Sequence, residues 1–482
     1  RRKEVRMGSD RARISYNDRR QYRAVVQQQG RVTLDADANE QAAILLHYIR
    51  TLASDLLGHH AVPVGAGFEL AADANGLYLT RGHCYVDGIL VENDVDDWSY
   101  TEQKDYPLPE HDPVSEQIHI HQGLTCWVYL DVWERYITPL DDDDIREKAL
   151  GGPDTCGRSK VVWQVKALPY DAGMPDIKDL EPCATPMAGW RGLSEAHLAA
   201  RVDAGRKDED PCVSPPDSKY RGAANQLYRV EIHEGGQDEE ATFKWSRDNG
   251  SVTAAWMDTK GNDLVISRTR GFEAGNWVEL SDDTVEFQGK PGRLVKLVKV
   301  EGDLLSVDPA TVPAEGIGWS ERLIKPKVRR WDQVETEDLA LTKGAVPVKE
   351  TQAGAEASDV VWIDLEDGIQ IQFLAGGEYR TGDYWLIPAR VATGNIEWPS
   401  ELDPAGNAVP SMTRPRGIEH HYAPLGFVQW DEEDVTLQTC RYEFVPSVHC
   451  IREANAAIPD LSMKKTVTVS KTKAKTLAAG GR

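Results

Sequence analysis

The sequence predicts a mainly β, multidomain protein with an N-terminal helical hairpin, a β-sandwich-like body and a small SH3-like barrel. Three observations lead to this prediction. Helical apolar spacing is strongest in the first 58 residues, short β-rich segments with glycine turns follow, and 482 residues exceed the usual size of one domain. The predicted domains are residues 1–58, 59–245 with an irregular insertion at 138–225, 246–325, 326–445 and 446–482.

The first predicted helix lies in the stretch 16–41, which has the densest set of helix-boundary residues in the chain. Asp18 followed by Gln21 is typical of a helix N-cap and its reciprocal partner, and apolar residues recur behind them at helical spacing. Gly30 is typical of a helix end. We therefore expect a short helix, a turn and a second helix.

The second helix is expected to run from about Ala38 to Leu57 and to end at Gly58. Asp37 and Glu40 repeat the cap-and-partner pattern at its start. Because the helix is apolar almost all round, we expect the body of the protein or a neighbouring subunit to cover it. One apolar face is expected to hold Ile44, Leu45, Tyr48, Ile49, Leu52 and Leu56.

The next segments predict paired strands. Residues 77–93 indicate two strands and a tight hairpin turn at Asp87–Gly88, and residues 126–137 and 161–168 are expected to be neighbouring strands. The acidic run 141–144 between them lacks the glycine and terminal glutamate of an EF-hand loop, which favours a solvated acidic loop or helix start over a calcium site. Residues 194–205 are expected to form a helical piece of the insertion.

The later segments predict the barrel and a second β region. Asn249–Gly250 is typical of a hairpin turn, and residues 263–308 hold four or five short strands that indicate a barrel. Residues 321–333 are expected to be a linker strand that leads out of it. The strands predicted after the barrel cover residues 360–373, 383–393 and 420–430.

The charge balance disfavours nucleic acid as the main partner, since 78 acidic residues outnumber 55 basic ones and the net charge is −23. Both ends are nevertheless basic: residues 1–23 hold nine Lys or Arg against three acids, and residues 464–482 hold six against none. Such ends are either solvated tails or arms that lie against acidic neighbouring subunits. We favour the second interpretation.

Seven scattered cysteines predict mostly free thiols in a protein made in a reducing cytoplasm, although a Cys183–Cys212 or Cys440–Cys450 bridge stays possible. No apolar run is long enough to span a bilayer, and no signal-peptide core follows the basic N-terminus. We therefore expect synthesis in the cytoplasm without a signal peptide, in a particle that is either released or kept inside the cell.

No catalytic motif is apparent, so we expect no enzyme activity and no cofactor. A nucleophile elbow, a P-loop and a dinucleotide-binding glycine pattern are all missing from the sequence. Three histidine pairs could act as metal ligands, but an ordinary surface or core role is favoured for each, so no metal site is predicted. The pairs are His59–His60, His119 with His121, and His420–His421.

The fourteen tryptophans lie mostly in or beside predicted strands. Exposed in a row beside convergent carboxylates, such rings would suit a glycan, because sugar faces stack on aromatic rings. Core or interface positions are favoured instead. A glycan-binding or glycan-processing module is therefore kept as the alternative to the structural role described below.

Seven segments in chain order carry a resemblance to a known family: QQQGRVTLDADANEQ (27–41), residues 131–168, FKWSRDNGSV (243–252), RRWDQ (329–333), LEDGIQIQF (365–373), YRTGDYWLIPAR (379–390) and HHYAPLGFV (420–428). They resemble an uncharacterised domain family that is encoded beside phage-tail-like contractile injection systems. The resemblance spans roughly residues 7–430. It implies a structural part of such a particle, near the baseplate, the spike or an adaptor position, with other particle subunits or further copies of the chain as partners.

The opening segment is the predicted docking element for such an assembly. A purely intramolecular helical hairpin would use the same caps and turn, and this interpretation stays open. The predicted docking residues are Gln28, Gln29, Gly30, Arg31, Leu34, Asp35, Asp37 and Glu40.

Overall fold

The computed structural model describes residues 9–108, 112, 115, 124–169, 194–203, 219–314, 316–336, 339–355, 359–403, 406–430, 434–445 and 466–470. The protein is mainly β, as predicted, and its sheets belong to two compact units. The first unit comprises residues 1–43, 135–160 and 193–419, and the second comprises residues 44–134, 161–192 and 420–482. Within the described ranges, no helix has the length and apolarity needed to cross a membrane.

The predicted first helix is wrong. Only Asp18–Arg20 forms a single 3-10 turn, because Gln21 adopts a left-handed conformation (φ +55°) and its N–H donates to the Asp18 carbonyl at 3.1 Å. The cap is Asn17 rather than Asp18, since the Asn17 side chain accepts a hydrogen bond from the Arg19 N–H at 3.0 Å. Residues 21–34 form neither helix nor strand, so the expected hairpin is one helix preceded by an irregular segment.

That helix, α1 (Asp35–Leu57), begins three residues earlier than expected and ends where expected. Gly58 has a φ of +78°, and its N–H donates to the Ser54 carbonyl at 2.9 Å, which completes the last turn.

In chain order, the first strands are β1 (His60–Pro63), β2 (Leu70–Asp73), β3 (Gly76–Leu79), β4 (Gly82–Val86), β5 (Ile89–Asn93), β6 (Trp98–Ser99), β7 (Leu124–Ile137), β8 (Arg158–Pro169), β9 (Leu198–Val202), β10 (Gln226–Ile232), β11 (Thr242–Ser246), β12 (Thr253–Lys260), β13 (Asp263–Ile266) and β14 (Trp277–Ser281). A short helix, α2 (Asp283–Phe287), follows. The later strands are β15 (Arg293–Glu301), β16 (Leu304–Val307), β17 (Lys327–Trp331), β18 (Val346–Pro347), β19 (Glu350–Thr351), β20 (Ile363–Asp364), β21 (Ile369–Leu374), β22 (Tyr384–Arg390), β23 (Asn395–Ile396), β24 (Ser400–Leu402), β25 (Ala408–Pro410), β26 (His421–Trp430), β27 (Asp434–Thr439), β28 (Glu443–Phe444) and β29 (Thr466–Ser470).

The second unit contains three sheets, with strand orders β29-β27-β26-β7-β8, β28-β1-β4-β5 and β2-β3-β6. The expected pairing of β7 with β8 is confirmed. The Asp87–Gly88 hairpin is also confirmed, because both residues have positive φ and Val86 pairs directly with Ile89. Of the predicted C-terminal arm, 446–482, the structure describes only β29, which pairs with β27.

The first unit contains a closed six-stranded barrel, ordered β12-β13-β16-β15-β14-β17. The expected linker 321–333 is wrong in part, because β17 lies within it and closes the barrel. Val328 of this strand is fully buried and pairs with Ala254 on one side and Leu280 on the other. The Asn249–Gly250 turn forms with positive φ, but it leads from a sheet into the barrel and does not join a hairpin.

Two further sheets of the first unit share one hydrophobic core. One is ordered β18-β11-β10-β22-β23, and the other contains β9, β19, β20 and β21. The helix predicted at 194–205 is wrong, since Leu198–Val202 pairs antiparallel with β21. Its alanines suit a helix, but Leu198 and Ala200 are buried beside Ile371 and Phe373, so tertiary packing overrides the local preference.

The described thiols agree with the cysteine prediction in part. Cys84 and Cys126 are free and buried, and Cys156 is free and exposed. Burial raises the pKa of the Cys126 thiol to about 12, so this thiol is unreactive at neutral pH. Cys183, Cys212 and Cys450, like His119 and His121, lie outside the described residues.

Candidate functional site

The predicted docking element is exposed at its first four residues. Gln28, Gln29, Gly30 and Arg31 form a turn in which Gly30 has a φ of +72° and the Arg31 N–H donates to the Gln28 carbonyl at 3.3 Å. The Cβ that a substitution would add at Gly30 meets no atom within 4 Å. This turn is therefore accessible to a partner.

The remaining docking residues start α1 in a different way from the one expected. Asp37 lies in the first turn rather than at the cap, and its carboxylate accepts a hydrogen bond from the Leu34 N–H at 3.4 Å. The Asp35 carboxylate accepts one from the Ala12 N–H at 3.0 Å. Glu40 is half-buried. Asp35 and Asp37 thus serve the chain itself, as the intramolecular interpretation requires.

Large apolar side chains are exposed on both sides of this helix start. In residues 21–34, which we call the docking segment, exposed fractions reach 79% at Val26 and 83% at Val32. On α1, Ile49 is 57% exposed and Leu56 is 74% exposed. The full set is Tyr22, Val26, Val32 and Leu34 in the segment, and Leu45, Leu46, Tyr48, Ile49, Leu52 and Leu56 on the helix.

The segments FKWSRDNGSV (243–252) and RRWDQ (329–333), which carry the family resemblance, contribute to a buried polar layer inside the first unit. Glu231 lies on β10, His233 directly follows that strand, and Lys244 lies opposite Glu231 on β11. The Lys244 ammonium donates to Glu279 of the barrel at 2.5 Å and lies 3.3 Å from Glu231. The indole N–H of Trp331 donates to the other Glu279 oxygen at 2.9 Å. All five side chains are at least nine-tenths buried.

Burial and the neighbouring charges shift two pKa values in this layer. Burial by itself would raise the pKa of Glu279, but Lys244 and His233 outweigh it and lower the pKa to about 2. Burial, together with the Lys244 charge, lowers the pKa of His233 to about 4. At neutral pH the layer therefore contains a charged Glu279 and a neutral His233.

A second polar cluster lies at the turn after β11 and is partly open to solvent. The Arg247 guanidinium donates to Glu366 at 2.9 Å, and its backbone N–H donates to Asp332 at 2.9 Å. Arg330 pairs with Asp332 at 3.0 Å and with Asp248. Burial raises the pKa of Glu366 and of Asp248 despite these arginines. Each carboxylate has a cationic partner, so the cluster holds segments together.

A third cluster contains Asp141, the first residue of the acidic run 141–144. The run starts a 3-10 turn at Asp143–Ile145, which Asp142 caps, but Asp141 is not solvated as expected. Asp143 and Asp144 are exposed, but the side chain of Asp141 is only 5% exposed and contacts Lys327 at 2.8 Å and Arg135 at 3.2 Å. Asp283 and Glu286, from the start and middle of α2, bind the same two cations. Burial would raise the pKa of Asp141, but Lys327 and Arg135 outweigh it and lower that pKa.

Sequence reasoning missed all three clusters. The sequence does contain one signal for them: charged residues occur inside the strongly β segments 226–232, 242–246 and 327–331. Such residues usually mark the solvent face of a strand, and only the packing of the barrel against the β10–β11 sheet shows that they are buried.

Three histidines of the predicted pairs contact carboxylates, and no three metal-ligating side chains converge in the ranges that the structure describes. In the second unit, Asp87 contacts His59 at 2.9 Å and His421 at 2.8 Å, and Asp131 contacts His420 at 2.6 Å. These contacts are ordinary His–carboxylate pairs.

Of the thirteen tryptophans in the described residues, nine are buried and four are half-buried. They do not supply the exposed row of rings that a glycan platform needs.

One family comparison gives a match. The model of a family of unknown function, DUF6519, matches residues 7–184 and 192–479, and the chain therefore belongs to that family. No match was found among the curated proteins or among the solved structures.

Proposed function

We propose that this DUF6519 chain is a non-enzymatic assembly subunit of a phage-tail-like contractile injection particle, near the baseplate, the spike or an adaptor position. It docks onto other subunits through residues 21–56 and needs no cofactor. The observation that carries the proposal is the exposure of ten large apolar side chains within these 36 residues.

The exposed set is costly for an isolated chain. Leaving a large aliphatic side chain in water forgoes about 1.5–3 kcal/mol relative to full burial. Scattered exposed apolar residues are ordinary, whereas apolar residues concentrated in one stretch are typical of a binding surface. Val26, Val32 and Leu56 are each more than 70% exposed, so a partner would gain most of their burial.

The segments that carry the family resemblance support a structural rather than a catalytic role. Catalytic groups need an accessible pocket, but Lys244, Glu279 and His233 are packed between sheet and barrel. In the partly open cluster, the Glu366 carboxylate is paired with Arg247. The motifs thus maintain a rigid body that presents the docking segment. We also propose that the barrel is SH3-like, since such barrels often serve as interaction modules.

The resemblance of seven segments to the family encoded beside contractile injection systems supports the assignment to such a particle, and the strongly acidic composition supports partners other than nucleic acid. The basic ends of the sequence are proposed to lie against acidic neighbours. We propose cytoplasmic synthesis, followed by incorporation into the particle.

The test is incorporation of full-length variants into particles. In one variant Val26→Asp and Val32→Asp are combined, and in the control Val298→Asp and Val391→Asp place two charges at similarly apolar exposed sites, 52% and 46% exposed. We expect the first variant to fold but to be lost from purified particles, while the control is retained. Retention of both variants at wild-type copy number would refute docking through the segment.

A further inference from the structure

We propose that α1 pairs in parallel with α1 of a second copy of the chain, as a two-stranded coiled coil. This inference deepens the proposed function, because it names one occupant of the exposed helix face: another copy of this subunit. It is carried by the spacing, the chemistry and the exposure of one stripe of side chains.

The stripe has heptad spacing. Leu45, Ile49, Leu52 and Leu56 are separated by four, three and four residues, which is the a/d repeat of a coiled coil. Stepping back toward the start of the helix, Ala42 and Ala38 continue the same alternation of three and four. All six residues are exposed along nearly the whole of α1. An amphipathic helix on a monomer surface would place polar residues there instead.

The opposite face of the helix is already occupied. Ala43 and Ile44 are at most 6% exposed. Within the second unit, Arg50 forms a two-pronged ion pair with Glu134 at 2.7 and 2.9 Å, and the backbone oxygen of Arg50 lies so close to Gly88 that a Cβ there would come within 2.2 Å of it. These contacts fix the rotation of the helix, and the apolar stripe faces outward as a result.

The identity of the stripe residues favours a second copy. Counting Leu45 and Leu52 as d positions makes Ala42, Ile49 and Leu56 the a positions. Leucine at d with β-branched Ile49 at the central a position favours parallel two-stranded pairing. No position of the stripe is charged. A stripe that matches the heptad pattern is also complementary to itself across a twofold axis, as an isologous dimer requires.

The exposed part of α1 supplies a continuous seam. Ten of its 23 residues are exposed, and six of these have large apolar side chains. Each chain has a net charge of −23, so two copies repel one another at long range. Salt screens that repulsion and leaves apolar burial intact, and the pairing should therefore strengthen as salt is raised. Docking onto a basic partner would weaken instead.

The first measurement is the molar mass of the purified full-length chain, by sedimentation over a range of concentrations at low and high salt. We expect a reversible dimer that is tighter at high salt. Ile49→Asp combined with Leu52→Asp should weaken it by at least about a hundredfold, because two charges would enter the seam. Met257→Asp combined with Val298→Asp, at sites 57% and 52% exposed on the barrel, should leave it unchanged.

Pairing direction is tested by a cysteine at an a position. In a Cys156→Ser background, Ala42→Cys should oxidise to a covalent dimer, since equivalent a positions face each other only in a parallel pair. The Cys156→Ser chain alone is the control for the native thiols. This test keeps the apolar stripe, so it stands even if the charged variant fails to fold.

Two outcomes overturn the inference: a chain that stays monomeric at every concentration, or a dimer that survives Ile49→Asp with Leu52→Asp. A monomer that still enters particles would reject self-pairing while leaving the proposed function standing. A dimer that joins no particle would reject the proposed function and leave self-pairing standing.

Discussion

The buried polar layer predicts a large and pH-dependent effect of Lys244→Met. The substitution removes the cation that neutralises Glu279 while keeping most of the apolar stem. Removing one partner of a buried ion pair costs about 3–5 kcal/mol, because the other charge stays buried without compensation. The carboxylate itself gives a similar figure: its pKa falls from 4.5 to about 2 on folding, which corresponds to about 3 kcal/mol of stability.

The sign of the pH dependence follows from that shift. Since the folded pKa of Glu279 is depressed, its stabilising contribution is complete above about pH 4.5 and disappears as the pH falls toward 2. In Lys244→Met the contribution is already absent at neutral pH. The stability difference between wild type and variant should therefore be greatest near pH 7 and shrink steadily below pH 4.5.

Hydrogen exchange of the β10 and β11 amides is the appropriate assay, because a chain with two compact units need not unfold in one transition. Lys299→Met is the matched control, since Lys299 pairs with Glu301 at the surface and its loss should leave these amides unchanged. A loss below about 1 kcal/mol at pH 7, or a loss that does not shrink in acid, would refute the argument about the buried charge.

Three further predictions concern the same packing. Lys327→Met should destabilise the first unit by about 3–5 kcal/mol, because Arg135 would be the only close cationic partner left for Asp141 and Glu286. Lys325→Met is the control and should have little effect, since that side chain is 47% exposed and lies 3.9 Å from Asp283; equal denaturation midpoints of the two variants would contradict this. His233→Gln should reduce the acid sensitivity of the first unit. Because the pKa of His233 is about 4 in the folded chain and about 6.5 in the unfolded chain, the wild type should lose about 2 kcal/mol of stability between pH 7 and pH 5. An unchanged pH profile of stability in the variant would contradict the lowered pKa of His233. Gly88→Ala should destabilise the second unit by more than Gly65→Ala does. Both glycines have positive φ (+76° and +77°), but only Gly88 lies against the Arg50 backbone. Thermal unfolding of the two variants measures the difference, and equal losses of stability would show that the contact with Arg50 relaxes freely.

Local chemistry in the sequence was enough to predict several elements correctly. Gly58 ends α1, and the Asp87–Gly88 dipeptide makes the β4–β5 hairpin, because a left-handed conformation is accessible to these residues at low cost. The alternation of apolar residues in 263–308 predicted the barrel strands. The tryptophans were expected in the core or at subunit interfaces, and the described ones are buried or half-buried.

Where the sequence misled, a tertiary contact opposed a local preference. Residues 18–29 carry a plausible cap and helical spacing, yet the backbone N–H of Val25 donates to Gln41 of α1 at 2.8 Å and the segment stays irregular. An isolated helix of that length is marginal in water, so one such contact can decide against it. In the same way, the alanine-rich segment at Leu198 becomes a strand because β21 offers it an edge.

Sequence alone determined which residues turn, which segments are extended and where the helix ends, since these depend on φ preferences and on periodicity within a few residues. Only the tertiary structure decided which polar faces are buried. A period of two separates the faces of a strand but does not reveal whether a second layer covers the polar one. Lys244 finds Glu279 35 residues away, and Arg135 finds Asp283 148 residues away, because the fold brings the barrel against them.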